Sequence, residues 1–216
     1  MRLFRLRHLA PLTFIVALAS VALVASQDEW SKRDAWQRPA EVMDAIGAKP
    51  GSIVADVGCG QGYFTFHLAA RVGTRGRVFA EDILDSDLQK IRDRASKEKL
   101  PQIETIRGTE TDPHLPAGAL DAVLVVNAYH EMIQFDAMMS AFFRALKPGA
   151  VLAILDARDD PGKPRKHYQD RHTLPQQLVR EDAARTGFRF LRELPGYHSP
   201  DRDKDFYFLL FDKPAP

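Results

Sequence analysis

Two short stretches of this 216-residue chain hold chemically capable residue types at close spacing. The first is Asp56-Val57-Gly58-Cys59-Gly60-Gln61-Gly62, three glycines at alternate positions behind a carboxylate. It ends the β-branched run Ile53 to Val57, which reads as a buried strand. Phe64, Leu68, Ala69 and Val72 then recur at helical spacing. Glycines between a strand and a helix let the backbone approach a ligand, and the first helical turn offers free amides. A dinucleotide site would need G-x-G-x-x-G, but the third position is Tyr63 when read from Gly58 and Thr65 when read from Gly60. Asp56 would also repel a pyrophosphate, whereas it suits a ligand carrying an ammonium and a sulfonium. An NAD-dependent oxidoreductase is disfavoured on both counts. The second stretch is Asn127-Ala128-Tyr129-His130-Glu131, at the end of the apolar run from Asp121 to Val126. His130 has the intrinsic pKa of a general base and Tyr129 stands beside it; the alternative is that both only support the loop.

The elements that must hold these stretches alternate between strand and helix. Pro39 opens a short helix carrying Val42, Met43 and Ile46, and Lys49-Pro50-Gly51 turns into the first strand. Further strands are expected at Arg77 to Ala80, Ile103 to Ile106, Asp121 to Val126 and Val151 to Leu155. Helices are expected from Asp85 or Ser86 to about Lys99, from Phe135 to Leu146 before Lys147-Pro148-Gly149, and from Pro175 to Thr186. Such alternation means βα units and a mostly parallel sheet, and the last two strands, Phe188 to Leu194 and Asp205 to Phe211, suggest an antiparallel hairpin at one edge.

On these residues the chain resembles the class I S-adenosylmethionine-dependent methyltransferases, whose first motif is D-x-G-x-G-x-G. Asp56, Gly58, Gly60 and Gly62 complete that motif, and the likeness runs along most of residues 36 to 213. The Tyr-His-Glu after the fourth strand resembles a set of small, exported bacterial members. The resemblance implies a Rossmann-like α/β fold with a seven-stranded, mostly parallel sheet and an antiparallel C-terminal hairpin. It implies S-adenosylmethionine as methyl donor and a small-molecule acceptor. Asp56, Gly58, Gly60 and Gly62 would hold the donor. Asp82 would bind its ribose hydroxyls, since it lies one βα unit past the glycines; strand alternation should turn the rival Glu81 away. Ile83 would pack on the adenine, Glu110 or Asp112 would contact its edge, and Asn127 would touch the methionine part. Tyr129 and His130 would face the acceptor. A module that binds the donor or a nucleotide without turnover is the second reading.

Composition sets the outer limits. With 45% hydrophobic residues, and Lys+Arg 30 against Asp+Glu 29, the chain can bury a core and offers no global field for a polyanion, so nucleic acid is not an expected partner. The lone Cys59 excludes intramolecular disulfides, thiol relays and Cys-rich zinc sites, and reads as a small filler of the glycine turn. No pair among His114, His130, His167, His172 and His198 has H-x-x-x-H spacing, so no metal is expected. The basic stretch with Arg158, Lys163, Arg165, Lys166, His167, Arg171 and His172 reads as a solvated loop or a site for an anionic acceptor. Arg2, Arg5 and Arg7 precede an apolar run from Leu9 to Ala25, so residues 1–26 read as a signal peptide or membrane anchor, 27–38 as a linker and 39–216 as the domain. Export follows either way, to the periplasm or the inner membrane if the source is bacterial. Oligomeric state is not legible.

Overall fold

The computed structural model describes residues 30–215, so the leader read over residues 1–26 lies outside the described range. The chain divides into two units, Met1–Ala35 and Trp36–Pro216, and the second holds everything below. Residues 30–37, read above as a linker, are helical: no glycine or proline interrupts them until Pro39. Among the described residues no helix is long and apolar enough to cross a membrane.

Seven strands form one sheet: β1 (Ile53–Val57), β2 (Arg77–Asp82), β3 (Ile103–Arg107), β4 (Leu120–Val126), β5 (Leu146–Ala157), β6 (Arg189–Ser199) and β7 (Lys204–Asp212). Their order is β3-β2-β1-β4-β5-β7-β6. The first five run parallel, and β7 pairs antiparallel with both β5 and β6, as the sequence predicts. Helices α1 (Pro39–Ala45), α2 (Tyr63–Val72), α3 (Asp85–Glu98), α4 (Phe135–Ala145), α5 (Arg165–Gln169) and α6 (Gln176–Thr186) connect or flank them. The central strands β1 and β4 are covered on both faces, which is why they read as continuous apolar runs without alternation. Asp121 ties their starts together: Ile53 N–H donates to it at 2.8 Å and Lys147 Nζ at 2.6 Å. These bonds hold its carboxyl below the ordinary range despite the opposing effect of burial.

Three further elements differ from the sequence reading. The strand β5 starts straight off α4 at Leu146, and Lys147-Pro148-Gly149 sits inside it as an irregularity, the register jumping from Leu120 opposite Leu146 to Ala122 opposite Val151. The basic stretch contains α5, five residues long and too short to show a period. And β6 continues to Ser199 through a bulge at Pro195-Gly196, where the Arg38 guanidinium donates to the Pro195 carbonyl at 2.9 Å and lies over the Tyr197 ring.

Leu124 is fully buried at the middle of β4, so Leu124→Ala is expected to cost about 2–5 kcal/mol, since neighbours covering both faces leave little room to collapse. Urea denaturation measures this; a loss under about 1 kcal/mol would show that the centre of the sheet is not tightly packed.

Candidate active site

The order of the sheet reverses between β1 and β4, and their connections leave in opposite directions. In such sheets a crevice opens beyond the carboxyl ends of the strands. Here it is a cavity of about 500 Å³ lined by Gly58 and Gly60 after β1, Glu81 and Asp82 at the end of β2 with Ile83 and Leu84 beyond it, Thr109 and Glu110 after β3, and Asn127, Ala128, Glu131, Met132, Ile133 and Met138 after β4. Of the five exposed large hydrophobic residues among those described, three (Ile83, Leu84 and Ile133) stand in its wall. Exposed apolar side chains gathered at one cavity mark a place where a ligand face is covered.

The glycine turn is shaped by contact as well as by conformation. A Cβ at Gly58 would stand 2.5 Å from the Ala128 Cβ, so this glycine lets the β1 and β4 loops close on each other. Gly62 does not border the cavity. It begins α2 with φ 84°, and a Cβ there would press Ile91 of α3 at 2.9 Å, so it serves helix packing. Asp82 lines the cavity: its Oδ2 accepts Gly60 N–H at 2.9 Å and its Oδ1 accepts Leu84 N–H at 2.9 Å, which hold the carboxylate still and leave lone pairs for a ligand. Asn127, in the left-handed region at φ 52°, donates its backbone N–H to Leu155, and its buried Oδ1 has no partner among the described residues. Of the two acids after β3, Glu110 reaches the cavity. Asp112 does not: it accepts the His114 N–H and pairs with Arg144.

Two acids lie elsewhere than the sequence suggests. Asp56 is buried beneath the turn, accepts the Thr65 hydroxyl at 2.6 Å, and does not border the cavity. Glu81, expected to point away, is buried and lines the cavity beside Asp82. Gly108 makes its room, since a Cβ there would overlap Glu81 Oε1 at 1.8 Å. Burial, opposed by a hydrogen bond from Gly58 and reinforced by Asp82, Asp56 and Asp112, pushes the Glu81 pKa up to about 8. Burial, reinforced by Asp56, Asp82 and Glu81, pushes the Cys59 thiol far above its ordinary range, which suits an inert filler.

At the other end of the cavity, Tyr129, His130 and Glu131 form a single 3₁₀ turn. Tyr129 does not face the acceptor. It is fully buried in the core, and its hydroxyl donates to Asp182 at 2.9 Å, an acid that also pairs with Arg165 and Arg185. A 3₁₀ turn sends successive side chains about 120° apart, so Tyr129 and Glu131 cannot share an exposure. His130 is also buried, beneath the cavity wall, and Glu131 lines the wall in its place. Asp156, fully buried near the carboxyl end of β5, accepts the His130 backbone N–H at 2.9 Å and stands 2.8 Å from His130 Nδ1. A carboxylate can only accept, so Nδ1 carries the proton. Burial lowers the His130 pKa, but Asp156 and Glu131 outweigh it and raise it to about 9. A free imidazole base at neutral pH, as the sequence suggests, is therefore not what the protein alone presents. Sequence reasoning gave no role to Glu131 or Asp156, set Glu81 aside as the rival of Asp82, and placed His172 only in the basic stretch; an acid ending a parallel strand was the signal available for Asp156.

This fold with this glycine turn defines a class of proteins. Residues 54–149 match the family described as "Methyltransferase domain". The chain is 28% identical over 174 residues to the ubiquinone/menaquinone biosynthesis C-methyltransferase UbiE of Vibrio cholerae, covering 78% of this chain and 65% of that one. It thus spans just under two-thirds of that relative's length. Nocamycin O-methyltransferase of Saccharothrix syringae is 30% identical over 113 residues, 52% of this chain and 40% of that one. Among solved structures, a SAM-dependent methyltransferase from Aquifex aeolicus superposes with a TM-score of 0.71 at 23% identity, over 84% of this chain and 92% of that one. The [4+2]-cyclase SpnF gives 0.72 at 17%, over 84% and 82%. Those two likenesses concern the fold. With the domain matched over residues 54–149 and the complete glycine motif, the chain is similar to the class I S-adenosylmethionine-dependent methyltransferases.

The Glu81 carboxyl has a pKa of about 8 when folded against an ordinary value of 4.5. Between those values the native state binds more protons than the unfolded state, so this group makes stability fall as pH rises. Glu81→Gln is expected to flatten that fall, gaining on the wild type more at pH 9 than at pH 5 in urea denaturation. An equal difference at both pH values would show that Glu81 is ionised throughout.

Proposed function

We propose that the protein transfers the methyl group of S-adenosylmethionine to a small-molecule acceptor. The observation that carries this reading is the pairing, across one cavity, of the Asp82 carboxylate with the partnerless Asn127 Oδ1. A carboxylate at the end of β2 accepts from two vicinal hydroxyls, and a buried amide oxygen is satisfied by an ammonium group. The donor has both groups, and the residues present fit it. Bound, it supplies an electrophilic methyl on a sulfonium.

The chain's own residues then act by position. Asp82, held by Gly60 and Leu84, fixes the ribose end; Ile83 and Leu84 offer an apolar face to the base, and Glu110 stands at its side. Asn127 holds the amino end, and Met132, Ile133 and Met138 close the far wall and displace water. An acceptor enters past Glu131. Displacement at a sulfonium needs in-line approach, so much of the rate comes from holding donor and acceptor in register. The small-molecule class draws support from the cavity's size and from relatives named for small acceptors, which include a geranyl diphosphate C-methyltransferase from Streptomyces coelicolor with a TM-score of 0.69. Near-neutral charge favours such an acceptor over nucleic acid.

Titrating S-adenosylmethionine into the full-length protein by calorimetry is expected to show one saturable site, weakened about 10–100-fold in Asp82→Ala by the loss of charge-assisted hydrogen bonds. No binding by folded protein removes the proposal; equal binding by the variant removes Asp82 from it. We further propose export, with membrane attachment through residues 9–25 if the leader is retained, supported by Arg2, Arg5 and Arg7 before the apolar run. Residues 1–40 fused to a reporter enzyme that is active only outside the cytoplasm should give activity, and an inactive reporter retained in the cytoplasm refutes export.

A further inference from the structure

Below the acceptor end of the cavity, three ligand-type atoms from two distant segments meet. His130 Nε2 lies 3.3 Å from His172 Nδ1, His172 Nδ1 lies 3.3 Å from Glu131 Oε1, and His130 Nε2 lies 3.6 Å from Glu131 Oε1. All three separations exceed the usual hydrogen-bond range of about 2.7–3.2 Å. They approach the edge of a different figure: an ion about 2.0–2.1 Å from each ligand in tetrahedral geometry sets those ligands about 3.3–3.4 Å apart. We infer that His130, Glu131 and His172 form a site for a divalent transition-metal ion of the zinc type.

The surroundings are those a metal site requires. Asp156 takes the Nδ1 proton of His130 and so turns Nε2 toward the other two ligands; a buried carboxylate behind a ligand histidine fixes the ring's tautomer and direction. The same Asp156 accepts the His130 and Ala157 backbone N–H groups, so its own position is fixed by the end of β5. The loop that presents His172 is tied down on both sides. Lys204 Nζ donates to the Arg171 carbonyl at 3.0 Å, and the Thr173 hydroxyl donates to Asp159 at 2.7 Å. The two rings meet edge to face at a centroid distance of 5.4 Å. Two imidazoles and one carboxylate favour zinc and its neighbours over magnesium or calcium, which take oxygen ligands.

The site is open on one side. The His130 side chain is 0% exposed, but those of Glu131 and His172 are 62% and 66% exposed, so a fourth ligand can reach the ion from solvent. Three protein ligands with an open fourth position are the pattern of a reactive zinc rather than a structural one. Because Glu131 also lines the cavity, an acceptor's hydroxyl or thiol bound at the fourth position stands beside the donor site, and the ion lowers its pKa. This last role rests on the methyltransferase reading; metal binding itself does not. His130 and His172 are 42 residues apart, which is why spacing along the chain hid the set.

The test uses the full-length protein, stripped with a chelator and then titrated with Zn²⁺ by equilibrium dialysis and elemental analysis, and with Co²⁺ by visible absorption. One equivalent of Zn²⁺ and the intense bands of four- or five-coordinate Co²⁺ are expected. Asp156→Asn should weaken binding about 10–100-fold, the usual effect of losing a supporting carboxylate, and His172→Ala should weaken it more. His172 is exposed, so its variant is expected to fold, and circular dichroism checks this. His198→Ala, which removes an exposed histidine bonded to Asp205, should change nothing. No stoichiometric binding by folded wild type, or binding unaltered in His172→Ala, overturns the inference and leaves the cluster as hydrogen-bonded side chains. Calorimetry with S-adenosylmethionine on the same samples separates the two ideas. Donor binding without metal binding refutes only the metal site, and metal binding without donor binding refutes only methyl transfer.

Discussion

The reversal of strand order between β1 and β4 is the constraint on which the rest of the structure depends. Because crossovers between parallel strands are right-handed, the chain leaving β1 and the chain leaving β4 must depart to opposite sides, and nothing fills the space above their carboxyl ends. Every ligand-facing residue is drawn from that edge. Gly58 and Gly60 follow β1, Asp82 ends β2, Glu110 follows β3 and Asn127 follows β4. Gly58 completes the arrangement by having no side chain, so that the β4 loop at Ala128 approaches within contact of the glycine turn.

The buried acids are each accommodated in their own way. Asp56 accepts from Thr65, Asp156 from His130 and two backbone amides, and Asp182 from Tyr129 and two arginines. Glu81 has no cationic partner among the described residues, and burial, with Asp82 beside it, pushes its carboxyl up to about 8. The Asp156 carboxylate has a further consequence, because it decides which nitrogen of His130 faces outward.

Much of this was legible in the residues. Strong apolar runs marked β1 and β4, because strands buried on both faces need no polar alternation, and Asp56 to Gly62 marked the turn. Weaker features were lost for physical reasons. Five residues at α5 cannot display a helical period, and the irregular start of β5 carries a proline and a glycine that imitate a turn. Alternation misplaced Glu81 because a missing Cβ at Gly108, on the neighbouring strand's loop, made space for it. Tyr129 and His130 were assigned to the acceptor because they stand at the right lip, yet the 3₁₀ turn carries both side chains inward and leaves Glu131 at the wall.

By itself, then, the sequence determined the alternating βα architecture, the glycine turn and the acid one βα unit beyond it, all of which are set by neighbours within about 30 residues. Tertiary structure alone decided which side chains converge. His172 reaches His130 and Glu131 only because β5 and the loop after α5 return to the β4 edge, and Asp156 turns the imidazole only because β4 and β5 are adjacent and in register there. Local patterning records the period and burial of a segment. It does not record which distant segment the sheet will set beside it, and the reactive end of this site is made entirely of such meetings.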